Sequence, residues 1–194
     1  SCKNLYNVEA EWVLDPVFLL SAADYGKVAQ ESKARQETPF ILAYILNPNE
    51  EKRQACLRIQ QQLGGDTRVI SICEPSEFAI DMSRHILDFA YIQSNPTIED
   101  FLYFFQNCQY VITDSFHGTC FSLIFQKNFM SFVNRQADRF TVFEQFGDAA
   151  THIGKEASPE FLEQCLKPLD YDTINKQLNR ERERSQTWLD QALD

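Results

Sequence analysis

Asp114, Ser115, His117, Gly118 and Thr119 follow one another almost without a break, and no other part of the chain gathers so many side chains able to do chemistry. The residues before them, 109–113 (QYVIT), read as a strand, and those after, through about Phe125, as a helix. The set therefore lies at the carboxyl end of a strand where a helix begins, which is where open α/β sheets bind their ligands. A helix N-terminus offers backbone N–H groups and a partial positive charge, so an anion can sit there. Ser115 and Thr119 would add hydroxyl donors, and Gly118 would let a ligand come close to the backbone. His117 has the side chain for proton transfer or phosphate contact, since an imidazole titrates near neutral pH. The plainer alternative is a cap, with Asp114 or Ser115 closing the helix and His117 merely exposed in its first turn.

The glycines point to the same place by elimination. Six glycines in 194 residues, at Gly26, Gly64, Gly65, Gly118, Gly147 and Gly154, cannot be arranged into G-x-G-x-x-G or G-x-x-x-x-G-K-[ST], which excludes both common glycine-rich phosphate cradles. His85 and His152 have no polar constellation around them in sequence and read as structural or surface residues. No His, Cys, Asp or Glu cluster has metal-ligand spacing, so neither a metal nor a cofactor is expected.

The elements that must position these residues alternate. Residues 39–46 (PFILAYIL) form a near-continuous apolar run of strand length, as in a strand buried on both faces. Residues 50–63 read as a helix with Ala55, Ile59 and Leu63 on one face and Gly64 and Gly65 as its stop. Residues 67–73 are a second strand, and 86–92 a short third. Thr97 and Asp100 resemble a capping box that opens a helix with Ile98, Phe101, Leu102 and Phe105 as its stripe. After the reactive segment come a strand at 128–133 (NFMSFV), a helix start at Ser158 and Pro159, and a long amphipathic helix from Tyr171 to about Leu193 with Ile174, Leu178, Trp188 and Leu189 facing inward. This rhythm predicts one α/β domain, a parallel sheet covered by helices on both faces. Residues 1–30 are a lead-in packing against the sheet, and 170–194 a closing helix.

Composition narrows the partners. With 18 Lys+Arg against 28 Asp+Glu the net charge is −10, and the longest charged run, Arg180, Glu181, Arg182, Glu183 and Arg184, alternates in sign as a solvated helix face does. Nucleic acid is not an expected partner. Six cysteines without a C-x-x-C pair, several inside apolar runs, read as buried reduced thiols and a cytoplasmic setting. Neither a signal peptide nor a membrane span is legible, and the start at Ser1 fits a piece of a longer protein. Most of the aromatic residues, Phe101, Phe104, Phe105, Phe121 and Phe125 among them, fall at core periods; sugar-stacking rings would sit on loops.

Residues 112–119 (ITDSFHGT) followed by 121–127 (FSLIFQK) resemble the signature of the polysaccharide pyruvyl transferase family. Residues 13–20 (VLDPVFLL), 98–102 (IEDFL), 169–172 (LDYD) and 185–193 (SQTWLDQAL) resemble other stretches of the family in the same register. The resemblance implies the Rossmann-like C-terminal lobe of a two-lobed, GT-B-type transferase that moves the enolpyruvyl unit of phosphoenolpyruvate onto a sugar of a surface polysaccharide, leaving a pyruvate ketal. It implies a glycan acceptor, a separate N-terminal lobe as partner, and a C-terminal lobe inactive alone. It places the donor near His117, with Asp114, Ser115, Gly118 and Thr119 around it. Better-known members carry an arginine two positions before the histidine, where this chain has Ser115. Arg135, Arg139 and Lys127 are the candidates to supply that positive charge. Two other readings stand beside this one: a glycosyltransferase lobe holding a nucleotide-sugar at the same helix end, and a non-catalytic glycan- or partner-binding domain.

Overall fold

The computed structural model describes residue 7 and residues 10–36, 39–134 and 137–193. Six parallel strands, β1 (Phe40–Tyr44), β2 (Arg68–Cys73), β3 (Tyr91–Ser94), β4 (Tyr110–Thr113), β5 (Asn128–Phe132) and β6 (Ile153–Gly154), form one sheet in the order β3-β2-β1-β4-β5-β6. The two central strands, β1 and β4, pair Ile41 with Tyr110 through Tyr44 with Thr113. Both are apolar along their length because helices cover both faces of a parallel sheet and leave no solvated side to mark by alternation. The chain reverses direction across the sheet between these two strands, and their carboxyl ends part there.

The helices form where local signals allow. They are α1 (Ala22–Ala29), α2 (Glu50–Gln62), α3 (Glu77–Ile86), α4 (Ile98–Asn107), α5 (Phe116–Ile124), α6 (Pro159–Cys165) and α7 (Tyr171–Leu193), with Asn49 as the cap of α2, and a single helical turn at Ala137–Phe140 follows β5 and carries Arg139. The capping box read from Thr97 and Asp100 is formed at α4. One core cluster joins Phe40, Leu42, Phe104, Phe105, Phe121 and Phe129 on one face of the sheet. The other face packs Ile41, Ile45, Ile59, Ile112, Met130 and Cys165. Cys56, Cys73, Cys108, Cys120 and Cys165 are buried free thiols, and burial pushes those of Cys56, Cys108 and Cys165 up to about 12; Cys2 lies outside the described residues.

Several local expectations are corrected. The strand expected at 86–92 begins five residues later: Ser76 caps α3, which runs to Ile86, and the strand is Tyr91–Ser94, sharing only Tyr91 and Ile92 with the expected range. As an edge strand it is only partly buried and needs no apolar run. Ile98 opens α4 but is 74% exposed, and Trp188 and Leu189 lie on the far, outward part of α7. There the buried residue is Ser185, whose Oγ accepts from Leu14 N at 3.0 Å. The lead-in lies on helices rather than on the sheet itself: α1 packs on α4, and the 3-10 turn Pro16–Leu19 on α5 and α7. Arg182 Nε donates to Phe18 O at 2.6 Å and ties the beginning of the chain to its end.

Candidate functional site

The crevice where β1 and β4 part is built by hydrogen bonds that use most of the polar residues of the reactive segment. Asp114 has no exposed side-chain surface. Its Oδ1 accepts from Leu46 N at 2.6 Å, and its Oδ2 from Asn47 N at 3.0 Å and Lys52 Nζ at 2.6 Å. Thr113 Oγ1 donates to Tyr44 O at 2.6 Å and accepts from Ser115 N at 3.0 Å. Asn134, at the end of β5, donates from Nδ2 to Asp114 O at 3.0 Å. The ends of three neighbouring strands are therefore fastened to one another, which gives the crevice a rigid floor.

Ser115 is the N-cap of α5, and its Oγ accepts from Gly118 N at 3.3 Å. Thr119 is buried, with its hydroxyl 2.7 Å from Ser131 Oγ and donating to Ser115 O at 3.2 Å. A glycine is needed at 118, but for contact with protein: a Cβ there would fall on the Thr113 hydroxyl and 3.1 Å from Tyr44 Cδ1. The close approach that Gly118 permits is that of α5 to the strands. With Gly118 N turned to the cap and Thr119 N bonded to Ser115 O, the amides of Phe116 and His117 head the helix where its dipole favours an anion.

His117 differs from its neighbours in being about half exposed, and its Nε2 is 3.6 Å from Asp15 Oδ2. Arg139 Nη2 lies 4.0 Å from the same carboxylate oxygen, with its guanidinium 4.3 Å from the centre of the Phe116 ring. Asn47, Ser115, His117, Asn134 and Arg139 line a cleft of about 300 Å³ at this point. Phe116 and Arg139 also line a larger neighbouring cleft of about 750 Å³, with Trp12, Asp15, Asp138 and Glu144.

The candidates from sequence thus separate. His117, Ser115 and Arg139 share the cleft, whereas Asp114, Gly118 and Thr119 build its floor and helix. Lys127 precedes β5 and so lies at the amino edge of the sheet, across the strand's length from the cleft; its carbonyl accepts from Tyr171 Oη. Arg135 lies outside the described residues. His85 is exposed, and His152 is buried against Phe129 O. The residues that sequence reading missed are Asp15, Lys52 and Asn134. Asp15 caps the turn at Pro16–Leu19 by accepting from Val17 N at 3.2 Å; its Asp-Pro step is a local signal for that cap, but no linear pattern connects it with His117.

The sheet is thus a doubly wound, Rossmann-like α/β sheet, and the cleft at His117 lies at its reversal point, where sheets of this kind bind ligands. The chain belongs to the polysaccharide pyruvyl transferase family, whose sequence model matches residues 1–136. The match includes the segment around His117 and ends before Arg139 and the closing helix. No curated protein matches the chain in sequence. Among solved structures it is similar to Staphylococcus aureus MnaA in complex with UDP, at a TM-score of 0.54 and 15% identity over 89% of this chain and 52% of that one. It is also similar to a Listeria monocytogenes protein described as a UDP-N-acetylglucosamine 2-epimerase, at a TM-score of 0.53 and 13% identity over 80% and 46% of the two chains. The chain spans about half the length of these proteins. Among the described residues no helix is long and apolar enough to cross a membrane.

Proposed function

We propose that this chain is the donor-side lobe of a transferase that moves the enolpyruvyl unit of phosphoenolpyruvate to a polysaccharide sugar, and that it is inactive without an acceptor-side lobe. The observation that carries this reading is the convergence of His117, Arg139 and the N-terminus of α5 on one cleft at the switch point. In the overall reaction two sugar hydroxyls add to C2 of phosphoenolpyruvate, the C2–O bond to phosphate breaks, and the methylene carbon becomes a methyl group. One hydroxyl proton ends on that carbon and the other on phosphate. His117 is placed to supply such a proton, to the methylene carbon or to phosphate as it leaves. The helix-end amides stabilise the phosphate charge. Arg139 takes the place of the arginine that the family carries two positions before the histidine, since a guanidinium is the natural fork for carboxylate or phosphate. The setting we propose is cytoplasmic, where phosphoenolpyruvate is made.

A nucleotide-sugar donor at the same helix end is the second reading, favoured by the UDP complex of the MnaA protein with which this chain shares its fold. Against it, the residue at the end of β5 is Asn134, whose amide is bonded to Asp114 O, rather than a carboxylate free to hold a ribose. Calorimetric titration of phosphoenolpyruvate and of UDP into the chain and its His117→Ala variant decides between them. The expected result is binding of phosphoenolpyruvate that weakens about tenfold or more in the variant, the loss of one charge-assisted hydrogen bond. UDP binding with no phosphoenolpyruvate binding would sink the first reading.

A further inference from the structure

The two edges of the sheet are built differently. β6 is two residues long and Lys155 follows it, the short and charged form in which an edge resists pairing with another chain. β3 carries neither device. Tyr91, Ile92, Gln93 and Ser94 include no charge and no proline, Tyr91 is 56% exposed, and among the described residues β3 pairs with β2 alone. Its outer backbone amides and carbonyls are therefore open to another strand. We infer that β3 pairs with β3 of a second copy of this chain about a two-fold axis, joining the two six-stranded sheets into one. This surface is independent of the function proposed above.

Three features favour a second copy over any other strand. The first is register. A two-fold axis perpendicular to the sheet at Ile92 runs the strands antiparallel, sets Ile92 beside its counterpart and Tyr91 opposite Gln93, and keeps every residue on its own face. The second is the spacing of helices. α3 lies over both β2 and β3. With strands about 4.8 Å apart, a helix midway between them stands about 5 Å from the axis, so the two copies of α3 come to about 10 Å, a distance at which helices pack. The third is charge. The right-handed crossover from β2 to β3 puts one flank of α3 beside α2 and leaves the other at the sheet edge. Glu77, Ile80, Asp81 and Arg84 form a stripe on that free flank, with the acids toward the N-terminal end and the arginine toward the other. Glu77, Asp81 and Arg84 are exposed and Ile80 partly so. Antiparallel to its counterpart, the stripe sets Glu77 of each copy against Arg84 of the other and brings Ile80 to the axis. Arg84 lies 3.9 Å from Asp81 of its own helix and so offsets the approach of the two Asp81 carboxylates. Each contact occurs twice, as in an isologous interface.

Sedimentation equilibrium on the full chain over a range of concentrations tests this, with amide hydrogen exchange as a second readout. A reversible monomer–dimer equilibrium is expected, and the β3 amides that face away from β2 should gain protection as the dimer fraction rises. Tyr91→Lys, which charges the edge, and Arg84→Glu, which sets acid against acid, should each weaken association by about tenfold or more, because each change counts twice in a two-fold interface. Both side chains are exposed, so circular dichroism and melting temperature should stay as they are. Glu77→Arg combined with Arg84→Glu only reverses the pair and should recover most of the loss. Leu193→Ser, at the exposed end of α7, should change nothing. A monomer at every concentration up to about 100 μM, a dimer indifferent to Tyr91→Lys and Arg84→Glu, or growth past the dimer overturns the inference. A double variant that associates no more tightly than Arg84→Glu overturns the contact between the two α3 helices and the two-fold arrangement with it.

Discussion

Asp15 Oδ2 stands 3.6 Å from His117 Nε2, so the 3-10 turn of the lead-in faces the first turn of α5 across the mouth of the His117 cleft. This is an ion-pair separation rather than a hydrogen bond. The carboxylate holds the imidazole on the side where Arg139 also stands, and it is itself fixed by capping its own turn.

Asp15→Asn separates orientation from charge. The amide oxygen can keep the cap to Val17 N, so thermal stability should barely change. One negative charge beside the anion site is removed, which should tighten phosphoenolpyruvate binding by up to about fivefold, the upper range for a partly exposed pair. With the imidazole no longer held, turnover in the transferase proposed above, assayed with its second lobe present, should fall by about tenfold or more. Calorimetry and steady-state kinetics give the two values; affinity and turnover falling together would show that Asp15 contributes to binding instead.

Asp114 and Lys52 form a pair whose carboxylate is fully buried and whose ammonium is nearly so. Asp114→Ala would leave that ammonium and the amides of Leu46 and Asn47 without their acceptor. Loss of about 3–5 kcal/mol is expected, as for breaking one side of a buried ion pair, and urea denaturation measures it. A loss under about 1 kcal/mol would mean that water replaces the carboxylate.

Gly118→Ala sets two effects against each other. Alanine favours a helix by about 1 kcal/mol over glycine, but its Cβ would collide with Thr113 Oγ1 and crowd Tyr44, and overpacking of this kind costs about 1–3 kcal/mol. The collision is with a strand side chain that is itself fixed by two hydrogen bonds, so net destabilisation is expected. Because α5 must move to relieve it, phosphoenolpyruvate affinity should fall as well. A stabilised variant with unchanged affinity would show that the helix has room to shift.

His152 gives the protein a pH dependence away from the site. Burial pulls its pKa below the ordinary 6.5, outweighing the opposite pull of the Phe129 carbonyl and Asp148. A carbonyl only accepts, so Nδ1 carries the proton in the 3.0 Å contact with Phe129 O. Below pH 6.5 the unfolded chain binds a proton that the folded chain refuses. This stability is complete above that pH and is lost as the pH falls toward the folded pKa, by at most about 1.4 kcal/mol per unit for one group. Denaturation between pH 5 and 7 should show this slope, and His152→Gln should flatten it.

The apolar runs at β1 and β4, the stop at Gly64 and Gly65, and the capping box at Thr97 and Asp100 were legible because each is a local matter of period or cap. The strand at Tyr91–Ser94 and the two-residue β6 were not, because edge strands take their place from neighbours already formed. Ile98 and Trp188 misled for a related reason: periodicity shows which residues share a helix face but not how far along the helix the partner extends.

The segment around His117 was found from residue types alone, since a strand end, a cap and a helix start lie consecutively in the chain. Sequence therefore determined which residues stand at the switch point and that the protein is an α/β member of this family. Tertiary structure decided what each of them does. It committed Asp114 to Lys52 and two backbone amides, Thr119 to Ser131, and Gly118 to the packing of α5, and it brought Asp15 and Arg139 to His117. Whether a polar side chain faces a ligand or the protein depends on which distant strand or turn reaches it first, and such contacts between remote residues leave no spacing in the sequence to read.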